Sequence, residues 1–315
     1  MDTHRREVDL SVVVPVYRCM DCIGPLHDRL KLILEKVPGS HEIVFVDDRS
    51  PDGAWSALEA LAQSDPTVRA LRLSRNFGQH AAITAGLAEC SGRQAVVMDC
   101  DLQDPPEEIP RLLEKAREGH DIVLARRLEK KHSAFRRVAS RAFFALLSAF
   151  NDVPVDGSFG SFSLIARPVI DAFLRFGDRD RHYLLILRWL GFRVGWIDYV
   201  HADRHAGRSS YSLRSLIAHA LDGVFFQTTV LLRWIVYVGF AVAGAGALLA
   251  FYFVYMYFAH SVVPGWTSLI VLILVIGGFI IASTGITGLY IGKIFEQVKA
   301  RPLYVIDRIA GGDRP

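Results

Sequence analysis

The sequence predicts an α/β domain with a mostly parallel sheet, followed by interfacial amphipathic helices and a hairpin of two membrane-spanning helices. Three observations carry that reading. Short, nearly continuous apolar runs alternate with helical patterns from Ser11 to Ala125, as buried parallel strands and their crossovers do. Polar and acidic residues close several of those runs, at the strand ends where such sheets bind ligands. Two late apolar stretches, Val230 to Phe258 and Thr267 to Ile291, each exceed the roughly 20 residues that cross about 30 Å of hydrocarbon.

Ser11 to Tyr17 reads as a buried first strand ending near Pro15. Leu26, Leu30, Ile33, Leu34 and Val37 then recur at helical spacing. Glu42 to Asp47 is a second strand, Asp48 to Gly53 a polar turn, and Ala54 to Gln63 a helix. Val68 to Leu73 is a third strand, and Asn76-Phe77-Gly78-Gln79 opens a helix running to Ala88. The strand around Val96 comes next, then a helix over Glu107 to Arg117 and a strand over Asp121 to Ala125. Asp156 to Arg167 reads as a loop and strand, and Arg181 to Leu190 as a helix.

The chain has 315 residues, 51% of them apolar, with the excess after residue 230. Its net charge of +3 does not suggest a nucleic-acid partner. Cys19 and Cys22 form a CxxC with no second pair for a structural zinc, so the four cysteines read as free thiols. Met1 to Asp9 is polar and resembles no signal peptide.

The second half reads as a membrane module. A basic stretch over residues 129–141 leads into apolar positions up to Phe150, which predicts an interfacial helix over about 133–150. Leu213, Leu216, Ile217, Ala220, Leu221, Val224 and Phe225 predict an amphipathic juxtamembrane helix over 212–229. The division expected is a cytosolic domain over 1–211, that helix, two spans within 230–291 and a cytosolic segment over 292–315. Arg214 and Arg233 precede the spans, Lys293, Lys299 and Arg301 follow them, and the link between carries no charge. The positive-inside rule then places both termini and the α/β domain in the cytoplasm. Small residues in the spans would also suit packing into a homo-oligomer.

Tyr17, Asp47, Asp48, Asn76, Asp99 and Asp101 all fall at strand ends, which predicts one nucleotide-sized site. Asp99 and Asp101 are two apart, so along a strand they would share a face. Two neighbouring carboxylates repel unless a cation lies between them. Mg²⁺ or Mn²⁺ shared with a diphosphate is the natural guest. No Gly-x-Gly-x-x-Gly or Walker A loop is present to cradle phosphate instead. The loop Arg204 to Tyr211 gathers cations and hydroxyls around Gly207 and suits phosphate contact.

Several motifs resemble the inverting family 2 glycosyltransferases. They are Val14-Pro15-Val16-Tyr17, Val46-Asp47-Asp48-Arg49-Ser50-Pro51-Asp52-Gly53, Asn76-Phe77-Gly78-Gln79, and Met98-Asp99-Cys100-Asp101-Leu102-Gln103-Asp104-Pro105-Pro106-Glu107. Arg204-x-x-Gly207-x-Ser209-x-Tyr211 and the closing segment Tyr290 to Tyr304 resemble the polyprenyl-phosphate branch of that family. That branch includes dolichyl-phosphate mannose synthase, bactoprenol glucosyltransferases and undecaprenyl-phosphate aminoarabinose transferase.

The resemblance implies a GT-A, Rossmann-like fold and transfer of a sugar from a nucleotide diphosphate, UDP before GDP, to a polyprenyl phosphate, undecaprenyl before dolichyl, at a bacterial inner membrane. Pro15, Tyr17, Asp47 and Asp48 would hold base and ribose, with Asn76 in the same nucleotide-sugar site. Asp99 would contact ribose or sugar, and Asp101 would ligate the metal. Gln103 and Asp104 would line the sugar pocket. Arg204 and Ser209 would receive the lipid phosphate. Arg126 either joins that clamp or solvates a strand end.

Two departures bear on the donor sugar. Ser161 and Ser163 stand where relatives often carry an acid and an arginine, so Asp156 joins Asp99 and Asp101 as a catalytic candidate. Arg18-Cys19 replaces a common Asn-Glu. The alternatives are a GDP-mannose-dependent mannose synthase, a processive synthase and a non-catalytic nucleotide-sugar-binding module. The processive synthase would need a Gln-x-x-Arg-Trp motif, but Leu185 precedes Arg188-Trp189.

Overall fold

A computed structural model describes residues 8–128, 159–179, 181–200, 230–260 and 265–312. They fall into two compact units: the sheet with its helices, including the C-terminal strand, and the two long apolar helices.

The first unit is a three-layer α/β/α sandwich. Its strands are β1 (Val8–Val16), β2 (His41–Asp47), β3 (Val68–Leu73), β4 (Gly92–Val97), β5 (Ile122–Leu128), β6 (Phe159–Ala166), β7 (Val194–Val200) and β8 (Ile306–Gly311). Its helices are α1 (Met20–Leu34), α2 (Ala54–Ser64), α3 (Gln79–Glu89), α4 (Ile109–Arg117), α5 (Arg167–Arg175) and α6 (Tyr183–Trp189). The eight strands run in the order β7-β5-β6-β4-β1-β2-β3-β8.

Strand β1 shows why the sandwich forms. Val12, Val14 and Val16 point into a core shared with α1, α2 and α4. Val13 points the other way, into a core shared with α3, α5 and α6. All four are fully buried, and each such side chain contributes about 1.5–3 kcal/mol. Helix α3 lies close on the second face because Gly86 carries no side chain, and a Cβ there would collide with Val13.

The expectation of a mostly parallel sheet needs refinement. β1–β2, β1–β4, β2–β3 and β5–β7 are parallel. β4–β6, β5–β6 and β3–β8 are antiparallel. The sheet is therefore mixed around a parallel β3-β2-β1-β4 centre. From β1 the order runs outward both ways, to β2 and to β4. That is a topological switch point, and ligands bind outside the carboxyl ends of the strands there.

The second unit holds α7 (Val230–His260) and α8 (Trp266–Val298). Gly239 of α7 and Phe279 of α8 approach closely, as a Cβ on Gly239 would lie 3.6 Å from that ring. Val275–Val298 is long and apolar enough to cross a membrane, with mean hydropathy 1.6. Among the described residues of α7 the apolar stretch is the shorter Ile235–Gly246. The interfacial helices expected over 133–150 and 212–229 lie outside the described residues.

Candidate active site at the strand ends

Three loops leave the carboxyl ends of β1, β2 and β4, and each contains a non-glycine residue in the left-handed region. These are Arg18 (φ 53°), Arg49 (φ 55°) and Leu102 (φ 63°). Such residues persist only where their surroundings hold them, and they gather at functional sites. Here the holding groups are identifiable.

Ser50 ties the first two loops together. Its Oγ accepts the Arg18 N–H at 2.7 Å and donates to Asp52 Oδ1 at 2.5 Å. Asp52 Oδ2 accepts the Met20 N–H at 3.0 Å, and Asp52 Oδ1 accepts the Ala54 N–H at the start of α2. Asp47 is fully buried, and its Oδ1 accepts the Ser50 N–H at 2.8 Å. Its Oδ2 faces Arg72 Nε at 3.4 Å without a hydrogen bond. Asp48 is also buried and accepts two backbone N–H groups, from Phe77 at 2.7 Å and from Gly78 at 2.8 Å. Burial raises the carboxyl pKa of both residues. Asp48 thus fastens the β2 loop to the loop that opens α3.

The turn after β4 is built differently. β4 ends at Val97, so Asp99 and Asp101 are not consecutive same-face residues of a strand. They come off a turn that the left-handed Leu102 reverses while its side chain sits in the core. Asp99 Oδ1 accepts from Gln79 Nε2 at 2.6 Å and from Ser161 Oγ at 2.7 Å. Asp101 Oδ1 accepts the Gln103 N–H at 3.2 Å. Asp104 is fully buried. Its Oδ1 accepts the Tyr199 O–H at 2.6 Å, and its Oδ2 accepts the Asp99 N–H at 3.3 Å. Arg127 Nη2 lies 3.7 Å from Asp104 Oδ1, and Arg127 Nε donates to Tyr199 Oη at 3.1 Å. Gly160 leaves room for this guanidinium, since a Cβ there would overlap it.

Burial and the neighbouring Asp104 charge push the Asp99 carboxyl up to about 6. Burial likewise raises Asp104. The turn concentrates negative charge in a poorly solvated place, and a cation would relieve it. Among the described residues no group of three or more His, Cys, Asp or Glu side chains gathers into a metal cage. An oxygen-only pair, Asp99 and Asp101, fits Mg²⁺ or Mn²⁺ in the open manner in which such ions keep water and phosphate ligands.

The other expected residues divide in three. Pro15 is buried in β1, while Tyr17 and Asn76 are exposed at the strand ends and Gln103 is half-buried in the turn. Arg126 forms a two-bonded fork with Asp198, at 2.6 and 2.9 Å, a structural tie between β5 and β7. Asp156, Arg204 and Ser209 lie outside the described residues. Gln79, Arg127 and Tyr199 belong to the site although no role was expected of them, and Ser161 joins Asp99 as a donor. All four cysteines are free and buried.

The profile described as "Glycosyl transferase family 2" matches residues 11–174. The chain is 35% identical to "Bactoprenol glucosyl transferase" of Shigella phage SfII, over 96% of this chain and 99% of that protein. It is 34% identical to "Undecaprenyl-phosphate 4-deoxy-4-formamido-L-arabinose transferase" of Proteus mirabilis (strain HI4320), over 100% of this chain and 98% of that protein. Among solved structures it resembles glucosyl-3-phosphoglycerate synthase from Mycobacterium tuberculosis in complex with Mn²⁺, UDP-glucose and phosphoglyceric acid. There the TM-score is 0.50 at 19% identity, covering 69% of this chain and 78% of that one. At that identity the likeness speaks for the fold alone.

Proposed function

The chain belongs to glycosyl transferase family 2, and from that premise we propose that it transfers a sugar from a nucleotide diphosphate to a membrane polyprenyl phosphate. The observation that carries this reading is near full-length similarity to two transferases whose names specify bactoprenol or undecaprenyl phosphate. The carboxylate-lined strand ends supply a site of matching chemistry. The donor is a UDP-sugar and the acceptor undecaprenyl phosphate. α7 and α8 form a two-span anchor, with the sheet domain and both termini on the cytoplasmic side.

The acceptor needs little activation. A phosphate monoester is largely ionised near neutral pH, since its second pKa is about 6. Its oxygen attacks the anomeric carbon, the bond from that carbon to the diphosphate oxygen breaks, and the nucleoside diphosphate leaves with the electron pair. One displacement inverts the anomeric centre. The chain must bring two anions together in that geometry, which is a task of positioning and charge. Asp99 and Asp101 would hold Mg²⁺ or Mn²⁺, which when bound neutralises the diphosphate. Gln79 and Ser161 orient Asp99. Tyr199 and Arg127 keep Asp104 in place beneath the turn. Arg204 and Ser209 receive the lipid phosphate.

The test is an assay of detergent-purified protein with undecaprenyl phosphate, Mg²⁺ or Mn²⁺, and a panel of UDP-, GDP- and dTDP-sugars, read by mass spectrometry of the lipid. One donor should yield a glycolipid that chelator abolishes. Nucleotide binding without product from any donor would point to a rarer sugar. Absence of both binding and product would reject the transferase reading.

A further inference from the structure

Strand β8 follows α8 in the chain yet completes the sheet beside β3. It runs antiparallel, with Gly311 opposite Arg69 and Ile306 opposite Leu73. Its first residues therefore lie at the carboxyl end of β3, where the site loops leave the sheet. Two contacts continue into those loops. The Ser74 N–H donates to the Val305 carbonyl at 2.8 Å. Arg49 Nη1 donates to Asp307 Oδ2 at 2.8 Å. Tyr304 and Ile306 anchor the segment by packing on the core beneath α3.

The two loops so touched are the ones that Asp48 already fastens together through Phe77 and Gly78. The C-terminal segment thus closes a second link between them. That link ends on Arg49, whose backbone is left-handed and which sits between Asp48 and Ser50. A cover for the sheet edge needs only the backbone ladder of β3 and β8. An ion pair from that strand into the β2 loop is an additional feature.

We propose that Asp307 is a positioning residue of the nucleotide half of the site. By holding Arg49 it fixes the Asp47–Gly53 loop, so the C-terminal strand sets donor affinity. The inference rests on the nucleotide-sugar reading above. Arg49 and Asp307 are 43% and 40% exposed at the side chain, so the effect is of modest size and screened by salt.

The test is UDP and GDP binding by the full chain in detergent, with donor KM and kcat, for Asp307→Asn, Asp307→Glu and Asp307→Lys at low and high NaCl. Asp307→Asn should weaken nucleotide binding about threefold, as loss of an exposed pair does, and raise donor KM with kcat unchanged. Asp307→Lys should weaken it about tenfold through repulsion of Arg49, and high salt should shrink that gap. Asp307→Glu should restore wild-type values. Wild-type affinity in Asp307→Lys would overturn the proposal. So would a parallel fall in affinity and thermal midpoint that ignores salt and is not restored by glutamate, since that marks an edge strand serving the fold alone. Failure of the wild-type chain to bind either nucleotide would remove the nucleotide reading itself, and this proposal with it.

Discussion

The loop after β2 and the turn after β4 both carry closely spaced aspartates at the same end of the sheet, but they handle them in opposite ways. In the β2 loop, Asp47 and Asp48 are buried and turned inward onto backbone N–H groups. These bonds hold backbone, within the loop for Asp47 and across to the loop before α3 for Asp48, and define where the chain goes. In the β4 turn, Asp99 is held by side chains from α3 and β6, and Asp104 by a side chain from β7. Its charge is crowded, and burial lifts Asp99 to about 6. The first loop is a frame. The second crowds negative charge at the same end of the sheet.

Paired substitutions test that division most directly. Asp101→Asn removes a half-buried carboxylate of the β4 turn. It should lower transfer by about a hundredfold, as loss of a charge-stabilising group does. The thermal midpoint should hold, since a surface change of this kind alters stability by about 0.5 kcal/mol or less. Asp48→Asn should behave in the reverse order. An amide can accept only one of the Phe77 and Gly78 N–H groups and sets its own NH₂ against the other. The expected loss is about 3 kcal/mol, or roughly 6–12 °C in a domain of this size. Activity would fall as the frame loosens. An Asp48→Asn protein with an unchanged midpoint and no nucleotide affinity would erase the distinction and make Asp48 a ligand group like Asp101.

The same contrast explains what the sequence made legible. β1 and β2 announce themselves because strands buried on both faces are continuous apolar runs such as Val12-Val13-Val14 and Ile43-Val44-Phe45-Val46. β7 and β8 do not. β7 alternates buried Ile197 and Tyr199 with exposed Trp196 and Val200, and Ile306–Gly311 carries Asp307 and Arg308 on a sheet edge. Nothing local says that residue 308 pairs with residue 72. Asp48 was legible as a carboxylate at a strand end but not as an acceptor of backbone N–H groups, because its partners lie 29 and 30 residues on. Alternation placed Asp99 and Asp101 together on a premise that fails, since β4 stops at Val97. The two carboxylates instead come off the turn itself, near enough for the Asp101 charge to act on Asp99. Ser161 and Tyr199 reach Asp99 and Asp104 from 62 and 95 residues away, distances at which spacing carries no information.

The smallest effect compares the two ends of the sheet. At the amino end Asp65 is buried, as Asp47, Asp48 and Asp104 are, yet its electrostatics are inverted. Burial alone would raise it. Hydrogen bonds from the Thr67 O–H at 2.6 Å and N–H at 2.9 Å, with His27 Nε2 at 3.1 Å, outweigh burial and lower it to about 2. A folded-state pKa below the unfolded value contributes stability that is present above the unfolded pKa near 4 and is lost as pH falls toward 2. Between pH 5 and pH 3 that loss should be about 1 kcal/mol, read as a falling thermal midpoint. In Asp65→Asn the starting midpoint should be lower and this part of the fall absent. Midpoints of wild type and Asp65→Asn that decline in parallel would mean the Asp65 carboxyl is not lowered. The strain of unsatisfied charge would then not be confined to the carboxyl end of the sheet.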